Sequence, residues 1–152
     1  MRLLCDEMLL RLGRWLRAAG YDTAIAQGGC EDRTLIQRCA AEGRVLVTRD
    51  RQLALRAAGT VAVVRLVDDG VETQARALKQ ALGIDWQRAP CTRCILDNTP
   101  LEPAPAEAAA QVPPASRAAG GPLLRCPDCG RIYWPGGHVC RMQARLVAWN
   151  HE

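Results

Sequence analysis

No apolar run in this 152-residue sequence approaches the roughly 20 residues needed to span a bilayer. A membrane partner is therefore not expected. No export signal is expected either, because Met1 leads straight into Arg2-Leu-Leu-Cys-Asp6 with no hydrophobic stretch. The expected location is cytoplasmic. In that reducing compartment the eight cysteines read as metal ligands and buried thiols rather than disulfides. The excess of one sign of charge is small too. The formal net charge of +4 permits a nucleic-acid partner without demanding one. With 49% hydrophobic and 24% charged residues, the composition is that of a globular chain, not a disordered one.

Cysteine is what the chain does have, and its placement carries information. Cys91-Thr-Arg-Cys94 and Cys126-Pro-Asp-Cys129-Gly130 are two Cys-x-x-Cys pairs. Two intervening residues let one tight turn aim both sulfurs at a single ion, and four thiolates saturate zinc. Such a site is structural, so chemistry is to be sought elsewhere. The 31-residue gap between the pairs is long for a ribbon. Loop-closure entropy grows by only about 0.6 kcal/mol per doubling of length, so a shared site survives the insertion.

Ahead of the cysteines, short apolar strands alternate with helical segments. Residues 2–5 and 44–48 read as buried strands, and residues 60–66 as another, with a further short strand at 23–27. Met8, Leu9, Leu12, Trp15, Leu16 and Ala19 recur at helical spacing before Gly20. Further helices are expected from Asp32 to Glu42, from Gln52 to Ala58 and from Val71 to Leu82. Strand–helix alternation means βαβ units and a mostly parallel sheet flanked by helices, an α/β class. The expected organisation is an α/β domain over 1–85 and a small ribbon over 86–152. Six prolines and many alanines mark a mobile insertion at about 100–122.

Acids follow the expected strands: Asp6, Asp50, and Asp68 or Asp69, with Asp32 opening a helix. Ligand sites in open α/β sheets lie outside the carboxyl ends of the strands. Carboxylates gathered there repel one another and need a hard cation to stay ionised. Mg²⁺ or Mn²⁺ in such a set activates water for in-line attack on phosphorus. The plainer reading is that Asp6, Asp32 and Asp50 are helix caps and Asp68-Asp69-Gly70 a turn.

Three stretches resemble the Mut-seven C-terminal family. Leu4-Cys-Asp-Glu-Met8 with Leu12-Gly-Arg-Trp-Leu-Arg17 and Gly20-Tyr-Asp-Thr23 resembles its opening. Gly43-Arg-Val-Leu-Val-Thr-Arg-Asp-Arg-Gln-Leu53 resembles its second motif, and Cys126-Pro-Asp-Cys-Gly-Arg-Ile-Tyr-Trp134 with Gly137-His138 and Arg141-Met142 its third. The resemblance implies a PIN-like ribonuclease domain with a C-terminal zinc ribbon and metal-dependent endoribonuclease chemistry on RNA. It implies Asp6, Asp32, Asp50 and Asp69 as the catalytic acids holding Mg²⁺ or Mn²⁺, with Asp68 the alternative to Asp69.

The chain departs from the family in one place. Where the first knuckle should read Arg-Cys-x-x-Cys-Asn, it reads Arg93-Cys94-Ile-Leu-Asp97-Asn98. Zn²⁺ would be held by Cys94, Cys126 and Cys129 with either Cys91 or Asp97. Cys91 is favoured on softness and spacing. Arg11, Arg14 and Arg17, three apart on the first helix, and Arg49 beside Asp50 are the expected RNA-contacting cations. A non-catalytic RNA-binding adaptor and a toxin-type RNase with an antitoxin are the rival functions.

Overall fold

The computed structural model describes residues 1–118 and 120–151. Arg2–Cys5 (β1), Asp22–Ile25 (β2), Arg44–Thr48 (β3) and Val63–Arg65 (β4) form a sheet in the order β2-β1-β3-β4. Every pairing in it is parallel. In register, Arg2 lies between Asp22 and Arg44, and Cys5 between Ile25 and Val47.

The connections are the helices Leu10–Ala18 (α1, entered through a 3-10 turn at Glu7–Leu9), Asp32–Glu42 (α2), Arg51–Ala57 (α3) and Val71–Leu82 (α4, after β4). Successive strand residues point to opposite faces, and here both faces are covered. Leu3, Cys5 and Val47 pack with Leu12 and Leu16 of α1 and Val71 and Leu78 of α4. Leu4, Leu46 and Ala24 pack with Leu35 and Cys39 of α2 and Leu53 of α3. Burial on both faces is why β1 and β3 read as unbroken apolar runs instead of alternating ones.

The C-terminal part is an antiparallel sheet of three two-residue strands: Glu102–Pro103 (β5), Leu124–Arg125 (β6) and Ile132–Tyr133 (β7). The proline-rich insertion, expected to be mobile, is built into it. β5 pairs with β6, a 3-10 turn spans Ala106–Gln111, and Pro114–Ala118 (α5) is helical. Ala108 and Val112 are buried, so even this alanine-rich stretch contributes apolar anchors.

A last helix, Gly137–His151 (α6), runs back to the parallel sheet's core. Its Leu146 and Trp149 join the cluster around α1 and α4. Trp149 makes edge-to-face contact with Trp15 and with Trp86, both at 5.0 Å between ring centroids, a geometry aromatic quadrupoles favour. The core of 1–85 thus extends into 86–152 through Trp86 and α6. Among the described residues no helix is long and apolar enough to cross a membrane.

Candidate active site and metal centre

From β1 the chain turns to β2 on one side, then crosses back to β3 on the other. The carboxyl ends of β1 and β3 flank this switch point, where doubly wound sheets leave a crevice. Asp6 directly follows β1, and Asp50 caps α3 just past β3. A small cavity of about 70 Å³ opens there, lined by Asp6, Glu7, Asp32 and Asp50 among its residues.

One hydroxyl organises two of these acids. Thr48, fully buried at the end of β3, donates its Oγ1–H to Asp6 Oδ2 and accepts the Asp50 N–H at 2.9 Å. Asp6 Oδ2 also accepts the Arg49 N–H at 3.1 Å. Asp6 Oδ1 is buried with no hydrogen-bond partner. Asp50 Oδ1 accepts the N–H groups of Gln52 and Leu53 at 2.6 and 3.1 Å, which caps α3. Asp32 Oδ2 pairs with Arg56 at 2.7 Å. Each of the three aspartates therefore fixes one oxygen and leaves the other free of a hydrogen bond among the described residues. A buried carboxylate oxygen without a donor is unfavourable alone and fits an oxygen-coordinated hard cation.

The fourth acid differs from the expectation. Neither Asp69 nor Asp68 lines the crevice; both are exposed on the turn before α4. β4 ends at Arg65, three residues before Asp68, and is separated from β1 by β3. Glu7 is there instead, with Oε2 accepting the Gly29 N–H at 3.3 Å. Reading the sequence for acids just after strands found Asp6 but passed over its neighbour, and no sequence signal marked Thr48 beyond its position at a strand end.

The second centre lies in the ribbon. Cys94, Asp97, Cys126 and Cys129 hold their ligand atoms within 4.8 Å of one another. The two turns that present them are built alike. Cys94 N–H donates to Thr99 O and Asn98 N–H to Cys94 O, while Cys126 N–H donates to Arg131 O and Gly130 N–H to Cys126 O. The fifth residue of each turn has positive φ, 77° at Asn98 and 72° at Gly130. This internal repetition places Asp97 where Cys129 stands in the other turn.

Cys91 is therefore not in the cluster, contrary to the preference for it on softness. Its φ is +60°, its N–H donates to Ala18 O at 2.8 Å, and its thiol meets Gln143 of α6. Spacing to Cys94 was the misleading cue, since the turn runs forward from Cys94. Burial works against ionisation of Asp97. Even so, the Thr99 N–H and the neighbouring thiols hold its carboxyl well below the usual carboxylate range. Tyr133 Oη–H donates to Cys94 Sγ at 3.1 Å, the kind of outer hydrogen bond that orients a metal ligand.

The expected RNA-contacting arginines divide. Arg11 and Arg14 are exposed and make no ion pair among the described residues. Arg17 is buried, so it is not available to RNA. Its Nε donates to Thr23 O at 2.8 Å and its Nη1 to Ile95 O and Leu96 O at 3.1 and 2.5 Å. Burial is the main influence on its guanidinium, lowering its pKa. The reason is helical geometry. A step of three residues falls about 60° short of a full turn, so two such steps carry Arg17 round to the inner face. Arg49 is half-buried beside the crevice, with its Nε unpartnered.

No significant match to the chain was found among curated proteins or among solved structures. One family does match, described as the Mut7-C RNAse domain, and the match runs from residue 1 to residue 146. With nearly its whole length covered, the chain belongs to the Mut7-C RNAse domain family.

Proposed function

We propose that the protein is a metal-dependent endoribonuclease whose catalytic crevice is formed by Asp6, Asp32 and Asp50. The observation that carries this reading is Asp6 Oδ1, a buried carboxylate oxygen with no donor, on a residue that lines a cavity shared with two other aspartates. Family membership supplies RNA as the substrate class.

Asp6, Asp32 and Asp50 would hold Mg²⁺ or Mn²⁺, which would supply Lewis acidity, lowering the pKa of water and neutralising charge developing on phosphorus. The chain's own residues do the rest. Thr48 fixes the rotamer of Asp6 and, through the Asp50 N–H, the spacing of the two acids. The Asp32–Arg56 pair ties the start of α2 to α3, across the crevice. Arg49, whose N–H holds Asp6 Oδ2 and whose Nε lacks a partner, is the cation nearest in sequence to Asp50 for a scissile phosphate. Among the described residues only the cysteine set gathers its ligand atoms within 4.8 Å. Zinc is assigned to the ribbon, at Cys94, Asp97, Cys126 and Cys129, where it stabilises the fold and takes no part in the chemistry.

A cleavage assay on defined RNAs with Mg²⁺, Mn²⁺ or EDTA tests the reading. Wild-type protein is expected to cut internally with Mg²⁺ or Mn²⁺, and Asp50→Asn to lose activity while keeping its zinc and its helical signal. Equal activity in the two proteins, or none in either with any divalent ion, would reject it.

A further inference from the structure

Two adjoining cavities lie away from the acidic crevice. One, of about 460 Å³, is bounded by the ribbon, the proline-rich insertion and the start of α6. The other, of about 160 Å³, lies over the outer face of α1. They border one another at Ile95 and His138, which line both, and together make up one groove region.

Its lining contains no aspartate or glutamate. Arg11 and Arg14 line one end and Arg131 and Arg141 the other. All four are exposed, and none makes an ion pair among the described residues. Arg38, Arg44 and Arg56, by contrast, are paired with carboxylates. Unpaired guanidinium groups at both ends of an acid-free groove complement a polyanion. A half-buried aromatic, Trp134, lines the larger cavity with Arg131 and Arg141. A Cβ on Gly136 would stand 2.7 Å from Trp134 Nε1, so glycine is what allows that ring to lie against the backbone with the remainder of its surface open.

The insertion contributes Pro113 and Ser116 to the lining, alongside residues of the ribbon and α6. They are held there by the buried Ala108 and Val112 and by the pairing of β5 with β6. An aromatic platform among unpaired arginines takes an unpaired strand by stacking and phosphate contact, whereas a duplex keeps its base faces stacked inside and offers none to the ring.

We propose that this groove is a single-stranded RNA binding site for the substrate of the catalytic crevice, with stacking on Trp134 selecting unpaired strand. The proposal rests on the ribonuclease reading for its choice of RNA. α1 links the two regions, since it begins four residues after Asp6 and carries Arg11 and Arg14. Bases stack on Trp134, while Arg131, Arg141, Arg11 and Arg14 meet phosphates.

The test is fluorescence anisotropy of the full-length protein with a short labelled 2′-O-methyl oligoribonucleotide, which resists cleavage, over a series of salt concentrations. A duplex of the same sequence is measured beside it. Arg131→Glu with Arg141→Glu changes exposed side chains only, and zinc content checks the ribbon. Single-strand affinity is expected to fall about tenfold or more, and the log–log salt slope to flatten by roughly 0.7 for each phosphate that no longer meets an arginine. Trp134→Ala should weaken binding with little change in salt slope, and Trp134→Phe should restore most of it. Unchanged affinity and slope in the double reversal, or equal affinity for duplex, overturns the proposal. Groove-dependent binding without cleavage under any divalent ion supports the groove and rejects only the catalytic reading.

Discussion

Asn98 holds Thr23 as a neighbouring strand would, its Oδ1 accepting the Thr23 N–H at 2.9 Å. Arg17 Nε takes the Thr23 carbonyl at 2.8 Å. Thr23 lies in β2, the edge strand of the parallel sheet, and an uncovered edge is a template for unwanted pairing. The ribbon's first turn thus covers the edge with side chains, and the positive φ of Asn98 (77°) is what aims its amide there. Asn98→Ala leaves the buried Thr23 N–H without an acceptor and is expected to cost about 1–3 kcal/mol. Denaturant unfolding measures the loss, and amide exchange at Thr23 should accelerate more than at Leu46. Unaltered protection at Thr23 would show that the ribbon is not what seals the edge.

Asp22 couples this junction to pH. Partial burial raises its pKa, but hydrogen bonds from Arg44 and Asn98 outweigh that, and the net shift is downward from 3.8. A depressed carboxyl contributes stability that is fully present above its unfolded value and is lost as pH falls through the folded one. The wild-type protein should therefore lose stability below about pH 4. Asp22→Asn should be less stable at neutral pH but should show a shallower decline over that acid range. Parallel stability profiles for the two proteins would remove Asp22 from the acid response.

How much of this was readable beforehand depended on which interactions are local. β1 and β3 were legible because burial on both faces leaves unbroken apolar runs at Leu3-Leu4 and Val45-Leu46-Val47. Asp6 and Asp50 were legible because each sits where a strand hands over to a helix. Asp69 looked equivalent, since a sequence shows that a strand precedes it but not which strands are neighbours. The order β2-β1-β3-β4 puts its strand at the far edge. The closing helix also left a signal, in Val139, Met142, Leu146 and Trp149 spaced three, four and three apart. Gly137-His138 and Arg141-Met142 stood out only as motif residues, and no helix was expected over them. Arg17 was misread because regular spacing of charges looks like a stripe even where the helix rotates the third member inward.

Thr48 is the residue whose role follows only from the structure. Replacing it with Val keeps the shape of the β-branched side chain but removes the hydroxyl that joins Asp6 to Asp50. The expected cost is about 1–3 kcal/mol, from a buried carboxylate oxygen that loses one of its two donors, together with a sharp fall in kcat and weaker Mg²⁺ activation. Asp50 separates the same two contributions. Asp50→Asn keeps the α3 cap and loses the negative charge, whereas Asp50→Ala loses both and should be about 1 kcal/mol less stable again. Thermal unfolding of the two variants, run beside the cleavage assay, tells capping from catalysis.

The ribbon makes a prediction that sets Asp97 against Cys91. Both were candidates for the fourth zinc ligand, but only Asp97 has its carboxylate within 4.8 Å of the three sulfurs. Cys91 sits against α1 and α6 through Ala18 O and Gln143. Asp97→Ala should lower zinc content and destabilise the ribbon, while Cys91→Ala should leave one zinc per chain. Asp97→Cys completes a four-thiolate site, for which zinc and cobalt have higher affinity than for one with an oxygen ligand. It should raise zinc retention against a chelator. In the cobalt-substituted protein, sulfur-to-metal charge-transfer absorption should rise by about a third, from three sulfurs to four. If Cys91→Ala loses the metal and Asp97→Ala keeps it, the turn beginning at Cys94 is not the knuckle. The matching hydrogen bonds of Cys94 with Thr99 and Cys126 with Arg131 would then be repetition of backbone shape alone.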